Sequence, residues 1–399
     1  RSGGAEQAHK IVKTFKVLGL SFGAQLKSER VERDLADIST FSSRPLMNIN
    51  PDAVGIAPPP ALWPPLYGPV AGRLVKGTLG ADARAKFVLR LPEKWNGRLV
   101  VSASPGMTCE HAYDIYWSDF LVSRGYAFAC TDKGVHAVLD GDDIYVPCAP
   151  ENGLAHWYGR LEGLAAMAKA EAEKLYGRKP ERTYAVGVSN CGYLARLAAE
   201  RGAGVFDGCL DVSGVLWRSG TGGLLAQLPL LLRAMKSGAP DRKVFELAGY
   251  PCEPQWDTLL GLYRLIYWES GMAWFLADLD PDYQGGFEDY DYASRPAPVK
   301  ESVLAVENTG DIKMPLVSLG GGLDYLIAFA AHAAPYAQLV ESRGKKRLHR
   351  LYFIENATHV DKDKEFFPAV DPLMPHAHKA FDLLTAWVEN GVPPPDKLT

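Results

Sequence analysis

One stretch of the chain, residues 184–195, constrains the possible folds more than any other. It opens with the apolar run Tyr-Ala-Val at residues 184–186, which predicts a buried strand, and continues after Ser189 into a segment with helical spacing. A serine between a strand and a helix is typical of a nucleophile elbow, where a strained turn lifts the hydroxyl above the sheet edge. The backbone amide of the next residue, Asn190, is then expected to point towards an oxyanion.

The motif around the serine departs from the usual form of an elbow. Most elbows have glycine two residues after the serine, whereas this chain has Cys191 there and Gly192 one place later. An ordinary strand-to-helix connection is the alternative interpretation. The apolar strand before Ser189 and the helical segment after it favour the elbow.

Composition limits the class of protein. The chain has 399 residues, of which 47% are hydrophobic and 23% charged, enough for one large domain with an insertion or for two domains. A net charge of -4 gives no basic face for nucleic acid, so we predict no nucleic-acid partner. No apolar run approaches the ~20 residues that a membrane-spanning helix needs, so we predict no transmembrane segment.

The cysteines and the N-terminal residues leave the compartment open. Six cysteines, none in a Cys-x-x-Cys pair, permit either disulfides or a set of reduced thiols. Cys130 and Cys209 lie in apolar, strand-like runs, which favours buried thiols at these two positions. Lysines before the apolar residues 17–24 are typical of a weak export signal and also of a surface helix. A secreted or periplasmic location is therefore an expectation, and the oligomeric state stays open.

Apolar strand-like runs alternate with helical segments over most of the chain, which predicts an α/β fold with a mostly parallel central sheet flanked by helices. The predicted strands include 70–75, 85–91, 98–103, 126–130, 208–213, 314–320 and 350–354, and the predicted helices 117–124, 154–176, 224–232, 259–274, 328–342 and 376–390. The predicted domains are a leader and extended segment at 1–69, a core at 70–214 and 304–399, and a helical cap inserted at 215–303.

The predicted cap is rich in leucine, tyrosine and tryptophan. We expect Trp217, Trp268 and Trp274 to contact a substrate, because apolar side chains commonly line binding sites. The alternative is that these rings only pack against the sheet.

A serine nucleophile needs a base and an acid that orients the base. In α/β hydrolases the chain order is serine, acid, histidine, each on a loop after a strand. Among the histidines after Ser189, only His359 directly follows a predicted strand, and a plain loop histidine is the alternative. Asp324 follows the preceding strand and is the predicted acid, with Asp211 as a second choice. The second oxyanion donor is expected in the loop after residues 98–103, at Gly106 or Met107.

Several segments resemble one family. Residues 175–184, the elbow, residues 199–208 and residues 386–394 are similar to blocks of the tannase and feruloyl esterase family. The resemblance covers about residues 95–215 and 305–395, and polyhydroxyalkanoate depolymerases and oxidised polyvinyl alcohol hydrolases share parts of it. It implies a serine hydrolase acting on carboxylic esters, with Ser189, Asp324 and His359 as nucleophile, acid and base.

The chain also departs from that family. Tannases have a cysteine directly before the serine, paired with one after the histidine, and this chain has Val188 and Val360 there. Many caps of the family bind calcium, but Asp278–Asp282 contains Pro281 and lacks the glycine of a calcium loop, so we predict an acidic turn in solvent. We predict no metal and no cofactor.

The sequence therefore predicts a serine esterase whose ester substrate is bulky, aromatic or oligomeric. Two alternatives stay open. The same three residues could hydrolyse a carbon-carbon bond in a β-diketone, as the resemblance to polyvinyl alcohol hydrolases allows. The chain could also be a binding protein on a hydrolase fold without activity.

Overall fold

The fold is known from a computed structural model. It describes residues 27–31, 35, 70–79, 84–111, 117–136, 138–140, 143–145 and 150–398. Most of the predicted leader and extended segment, residues 1–69, lies outside the described residues, as does Cys148.

A nine-stranded sheet forms the centre of the molecule, with strand order β1-β2-β3-β5-β4-β8-β9-β10-β11. The neighbours from β5 through β11 in this order pair in parallel, and β1, β2 and β3 add an antiparallel side. The sheet strands are β1 (Lys27–Val31), β2 (Gly72–Thr78), β3 (Lys86–Pro92), β4 (Arg98–Ala103), β5 (Ala127–Thr131), β8 (Arg182–Val188), β9 (Gly208–Val212), β10 (Leu316–Gly321) and β11 (His349–Ile354), while β6 (Val138–Asp140) and β7 (Asp143–Tyr145) form a separate hairpin. The parallel strands other than β11 at the edge are buried along nearly their whole length, as expected for a sheet covered on both faces.

Helices connect the parallel strands. Numbered among the described residues, they are α1 (Asp119–Val122), α2 (Leu154–Tyr176), α3 (Asn190–Arg201), α4 (Leu224–Ala234), α5 (Arg242–Leu247), α6 (Asp257–Tyr263), α7 (Glu269–Leu279), α8 (Ala297–Val306), α9 (Phe329–Ser342) and α10 (Leu373–Asn390). Helix α2 has the predicted bounds, because Gly177 ends it in the left-handed region at φ 71°. None of the described helices is long and apolar enough to cross a bilayer.

The sheet and its flanking helices confirm the predicted α/β fold class. Within the predicted leader, however, residues 27–31 form strand β1, which pairs antiparallel with β2. Its sequence, Lys-Ser-Glu-Arg-Val, is too polar to be recognised as a strand, since backbone pairing at a sheet edge does not require apolar side chains. The predicted helix at 259–274 is part of a longer run, α6 and α7 joined by a π-helical turn at Arg264–Trp268.

Residues 213–315, all described, contain helices and no strand between β9 and β10. This segment includes the range predicted as a helical cap, whose boundaries stay a prediction. It packs on the core domain through Trp274 of α7, which lies 5.2 Å from Trp157 of α2, centroid to centroid. Within the segment, Phe275 lies 4.9 Å from Trp217. The inserted helices therefore share one hydrophobic core with the sheet.

The described cysteines are free thiols, namely Cys109, Cys130, Cys191, Cys209 and Cys252. Cys130 and Cys209 are fully buried in their strands, which confirms the prediction for these two residues. Burial raises the pKa of both thiols, so they are neutral apolar side chains of the core.

A buried ion pair joins helix α3 to strand β9. Arg196 Nε of α3 donates to Asp211 Oδ2 of β9 at 2.6 Å, and both side chains are fully buried. The Arg196 guanidinium also lies over the ring of Tyr336 in α9, 4.4 Å from its centroid. Asp211, the second choice for the catalytic acid, is therefore paired with an arginine rather than with a histidine.

Two buried histidines predict how stability depends on pH. Burial lowers the pKa of His332 and of His349 to about 3, whereas an unfolded histidine titrates at 6.5. Below pH 6.5 the unfolded chain binds protons that the folded chain does not, so the free energy of unfolding falls as pH drops towards 3.

We expect His349→Gln to make this fall shallower by up to about 1.4 kcal/mol per pH unit, because the glutamine does not titrate. Urea unfolding at several pH values within the window measures it. The control is His156→Gln on the exposed side of α2, which should leave the slope unchanged. Equal slopes for both variants would contradict the assignment.

Candidate active site

Ser189 lies between β8 and α3 with φ 60° and ψ -121°. This conformation is strained for a residue with a side chain, and the surrounding contacts hold it. The Ser189 amide donates to Val212 O of β9 at 2.9 Å. The serine is therefore fixed on a sharp turn above the sheet, in the geometry of a nucleophile elbow.

Two glycines allow close backbone contacts at this turn. A Cβ on Gly187 would lie 2.3 Å from the carbonyl oxygen of Cys191, so this glycine lets β8 and α3 touch. A Cβ on Gly192 would lie 2.7 Å from the Cα of Gly214, so this glycine lets α3 approach the segment after β9.

Cys191 fills the position where most elbows have glycine. Its side chain is buried and directed to β4, where the Ala103 amide donates to Sγ at 3.0 Å. Burial raises the pKa of this thiol to about 11, so it is a neutral packing group. The departure from the usual motif is therefore accommodated by contact with the neighbouring strand.

Asp324 and His359 lie together at the ends of neighbouring strands. Asp324 follows β10, His359 follows β11, and Nδ1 of the histidine is 2.7 Å from Oδ2 of the aspartate. The other carboxylate oxygen, Oδ1, accepts the amides of Leu326 at 2.9 Å and Ile327 at 2.7 Å. Because Asp324 is fully buried and its oxygens are occupied, the carboxylate is held in one orientation.

The two loops that carry these residues are joined. The Leu323 amide donates to Ala357 O at 2.9 Å, and a Cβ on Gly321 would lie 2.1 Å from that same oxygen. Gly321 at the end of β10 and Gly322 after it therefore allow close backbone contact between the Asp324 loop and the His359 loop.

Parallel pairing brings the three predicted catalytic residues to one edge of the sheet. Strands β8, β9, β10 and β11 are consecutive and parallel, so the loops after them leave at the same end. A hydrogen on His359 Nδ1 is the one that Asp324 can accept, which leaves Nε2 as an acceptor for a hydroxyl proton. The arrangement can deprotonate a serine.

The predicted oxyanion donors lie on adjacent elements. Asn190 begins α3 and is buried, so its amide belongs to the unpaired first turn of a helix. Gly106 and Met107 follow β4, the strand next to β8 in the sheet. Gly106 has φ 50°, and a Cβ there would meet nothing within 4 Å, so its backbone is open to a bound molecule.

Lys133 is a residue near the site that sequence reasoning missed. It is fully buried with φ 61°, and its Nζ donates to Ser104 O at 2.5 Å and Ser104 Oγ at 2.8 Å. It also lies 5.1 Å from the centroid of Trp157, and burial lowers its pKa to about 8. The available signal is a lysine two residues after the apolar run that forms β5.

Two side chains of the inserted helices contact the catalytic loops. Trp268 Nε1 donates to the carbonyl of Tyr325, next to Asp324, at 2.9 Å. The Tyr263 hydroxyl donates to Asp363 Oδ2, four residues after His359, at 2.8 Å. Both are contacts between residues far apart in sequence, and the insertion therefore supports both loops.

The three tryptophans predicted to contact substrate are all buried. Trp217 and Trp268 are 0% exposed and Trp274 is 3% exposed, each within the hydrophobic core. Packing alone accounts for this burial, and contact with substrate stays a prediction.

The predicted acidic turn in solvent at Asp278–Asp282 is wrong. Asp278 Oδ2 accepts the Leu154 amide at the start of α2, at 2.7 Å. Asp280 is 2% exposed and accepts Arg295 Nε at 2.6 Å and the hydroxyl of Tyr290 at 2.9 Å. Asp278 therefore caps the start of α2, and Asp280 forms a buried ion pair with Arg295.

Comparison with known proteins gives a family match for part of the chain. The model of the family described as tannase and feruloyl esterase matches residues 72–216, from β2 through the elbow to the start of the insertion. This range is less than half of the chain and contains Ser189, Asn190, Gly106 and Met107.

Two curated relatives match part of the chain. Mono(2-hydroxyethyl) terephthalate hydrolase of Piscinibacter sakaiensis is 28% identical over 156 residues, which cover 36% of this chain and 26% of that protein. An uncharacterised esterase of Xanthomonas campestris pv. campestris is 35% identical over 99 residues, covering 25% of this chain and 17% of the relative. The matches thus span about a quarter of these relatives or less.

Solved structures match over nearly the full length. Feruloyl esterase B from Aspergillus oryzae aligns with a TM-score of 0.57 at 12% identity, covering 97% of this chain and 91% of that one. Tannin acyl hydrolase from Aspergillus niger aligns with a TM-score of 0.53 at 13% identity, covering 96% and 87%. At such identities the likeness establishes the fold. The predicted resemblance is therefore confirmed: the chain has the α/β-hydrolase fold, and its residues 72–216 match the tannase and feruloyl esterase family.

Proposed function

We propose that this protein is a serine hydrolase that cleaves carboxylic esters through an acyl-enzyme on Ser189. One observation carries the proposal. Ser189 occupies a strained turn at φ 60°, at the same sheet edge where His359 Nδ1 lies 2.7 Å from the buried carboxylate of Asp324. The relatives named above are esterases and hydrolases, which agrees with this chemistry.

In the first half of the reaction Ser189 Oγ attacks the ester carbonyl carbon. His359 Nε2 takes the hydroxyl proton, and Asp324 stabilises the resulting imidazolium through its hydrogen bond to Nδ1. The carbonyl electron pair moves to oxygen and gives a tetrahedral oxyanion. When the carbonyl re-forms, the alkoxide leaves with the proton from His359, and the acyl group stays on Ser189.

In the second half a water molecule replaces the alcohol. His359 accepts a proton from the water as the water oxygen attacks the acyl carbon, and then returns that proton to Ser189 Oγ. The products are the carboxylic acid and the free enzyme. No step requires a group beyond Ser189, His359, Asp324 and the oxyanion donors.

The oxyanion is held by the amide of Asn190 and an amide of the Gly106 to Met107 segment. Asn190 is rigid because it begins α3, whereas the second segment lies in a loop. Lys133 supports that loop as a positioning residue, since its two hydrogen bonds to Ser104 lie two residues before Gly106.

We propose an ester with an aromatic acyl group as the substrate. Support comes from the names of the relatives, which refer to terephthalate, feruloyl and tannin esters. The open backbone at Gly106 leaves space for a bulky group beside the oxyanion donors.

Export to the periplasm or the medium also stays a proposal. It is supported by the lysines before the apolar residues 17–24, and detection of the chain only in the cytoplasmic fraction would contradict it.

The nucleophile and the base are tested by Ser189→Ala and His359→Ala. We expect each to lower kcat/KM by about 10⁴-fold or more, because removing a member of a catalytic triad abolishes acyl transfer. Rates are measured with p-nitrophenyl acetate and a p-nitrophenyl aromatic ester, next to a β-diketone.

A wild-type rate in Ser189→Ala would contradict the proposal. Cleavage of the diketone alone would favour the carbon-carbon hydrolase. A wild type that neither turns over esters nor reacts with an organophosphonate would favour a binding protein.

The role of Lys133 is tested by Lys133→Met, which keeps the apolar stem and removes both hydrogen bonds to Ser104. We expect kcat to fall by about tenfold to a hundredfold with a small change in KM, since a displaced loop weakens one oxyanion donor. Labelling of Ser189 by a fluorophosphonate and the thermal midpoint serve as folding controls. An unchanged kcat in a folded variant would rule out the positioning role.

The two interpretations of Trp268 are separated by Trp268→Phe, which keeps a ring and removes the hydrogen bond to Tyr325 O. We expect kcat to fall several-fold for all esters because the support of the Asp324 loop weakens, by about 1 kcal/mol for one hydrogen bond. The matched control is Trp217→Phe, whose indole nitrogen has no hydrogen-bond partner among the described residues. A rise in KM confined to bulky esters would instead indicate substrate contact.

A further inference from the structure

Three side chains with metal-binding groups converge beside the oxyanion loop. Glu110, Asp132 and His136 each offer one ligand atom, and these atoms lie within 4.8 Å of one another. Asp132 directly follows β5, His136 lies four residues later, and Glu110 lies three residues after Met107. None of the three takes part in the ester hydrolysis proposed above.

Asp132 is the fixed member of this cluster. It is 0% exposed, and its Oδ1 accepts the amides of Lys86 and Gly134, each at 2.8 Å. Its Oδ2 is buried and has no hydrogen-bond partner within the described part of the chain. A buried carboxylate oxygen without a partner is costly, so this oxygen needs either a proton or a cation.

His136 provides a second unpartnered atom. Its Nε2 is buried and has no hydrogen-bond partner among the described residues. A neutral imidazole nitrogen with no other partner keeps a lone pair for a metal ion. Two neighbouring side chains of different chemistry thus have a buried atom available for the same ligand.

The charge balance of the cluster also favours a cation. The Glu110 side chain is only 15% exposed and brings a second carboxylate next to the buried Asp132. The adjacent Lys133 directs its ammonium to Ser104. His111 Nε2, 3.7 Å from Glu110, is the other nearby basic group, and an imidazole is charged only when protonated.

We propose that Glu110, Asp132 and His136 bind a divalent transition-metal ion such as Zn²⁺. One imidazole nitrogen with two carboxylates is a ligand set that zinc accepts, whereas Ca²⁺ and Mg²⁺ prefer oxygen ligands alone. Ligand atoms within 4.8 Å of each other reach zinc distances of about 2.0–2.2 Å after small rotations of Glu110 and His136. Water would complete the coordination.

Such an ion would connect two segments at the edge of the proposed site. Glu110 belongs to the loop that carries Gly106 and Met107, and Asp132 and His136 belong to the loop after β5. The ion is a structural link between these loops and takes no part in the chemistry at Ser189. This inference departs from the prediction of no metal and does not depend on the proposed esterase activity.

The test uses Zn²⁺ and the full chain, purified without a metal-binding tag and treated with a chelator. We expect the wild type to bind about one equivalent by calorimetry and elemental analysis, and added Zn²⁺ to raise the thermal midpoint. Asp132→Asn keeps the Oδ1 acceptor for Lys86 and Gly134, and His136→Gln changes a half-buried residue. We expect Glu110→Gln and both of these variants to bind Zn²⁺ at least tenfold more weakly, because each variant loses one of the three proposed ligand groups.

The matched control is His156→Gln, which removes an exposed histidine outside the cluster and should bind Zn²⁺ as the wild type does. Equal binding by the wild type and all three cluster variants would place the ion elsewhere and overturn the proposal. A wild type that binds no Zn²⁺ would also overturn it and would indicate a proton shared between Glu110 and Asp132. If Asp132→Asn fails to fold, His136→Gln and Glu110→Gln still decide. Because binding and the thermal midpoint are measured without substrate, an inactive enzyme would not affect the result.

Discussion

The close approach of β8 and α3 at Ser189 is the constraint on which the rest of the site depends. Gly187 has no side chain and lets β8 touch α3, Gly192 lets α3 approach the segment after β9, and the chain turns between them with Ser189 at φ 60°. The same turn places the first amides of α3 next to Ser189. One local strain therefore positions both the proposed nucleophile and the proposed first oxyanion donor, and the hydrogen bond from Ser189 to Val212 ties them to the sheet.

The parts of the site that could be predicted are those encoded by local patterns. Ser189, Asp324 and His359 each follow an apolar strand within a few residues, and parallel pairing converts this position in sequence into proximity in space. The bounds of α2 could be predicted for the same reason, since Gly177 is a local stop signal. The polar strand β1 carries no such signal, because backbone pairing with β2 at the sheet edge does not require an apolar pattern.

The contacts that hold the site in place could not be predicted, because each joins residues far apart in sequence. Tyr263 reaches Asp363, and Trp268 reaches Tyr325, from helices inserted between β9 and β10. The composition of the insertion predicts substrate contact for Trp268, but it gives no sign that the indole nitrogen donates a hydrogen bond to the carbonyl of Tyr325, next to Asp324. The same limitation explains why Asp280 is not in an acidic turn in solvent. Its ion-pair partner, Arg295, lies outside the local sequence from which that turn is predicted.

The two sides of the oxyanion site differ in how firmly they are held. Asn190 is fixed by a helix and by the strand before it, but Gly106 has no neighbour within 4 Å of a Cβ and a left-handed backbone. A loop of this kind keeps its geometry only if other groups restrain it. Lys133 does so through Ser104, and Asp132 fixes the loop that carries Lys133 by accepting the amides of Lys86 and Gly134. The buried Asp132 and Lys133 after β5, which contact none of the three proposed catalytic residues, thus restrain the segment proposed to supply the second oxyanion donor.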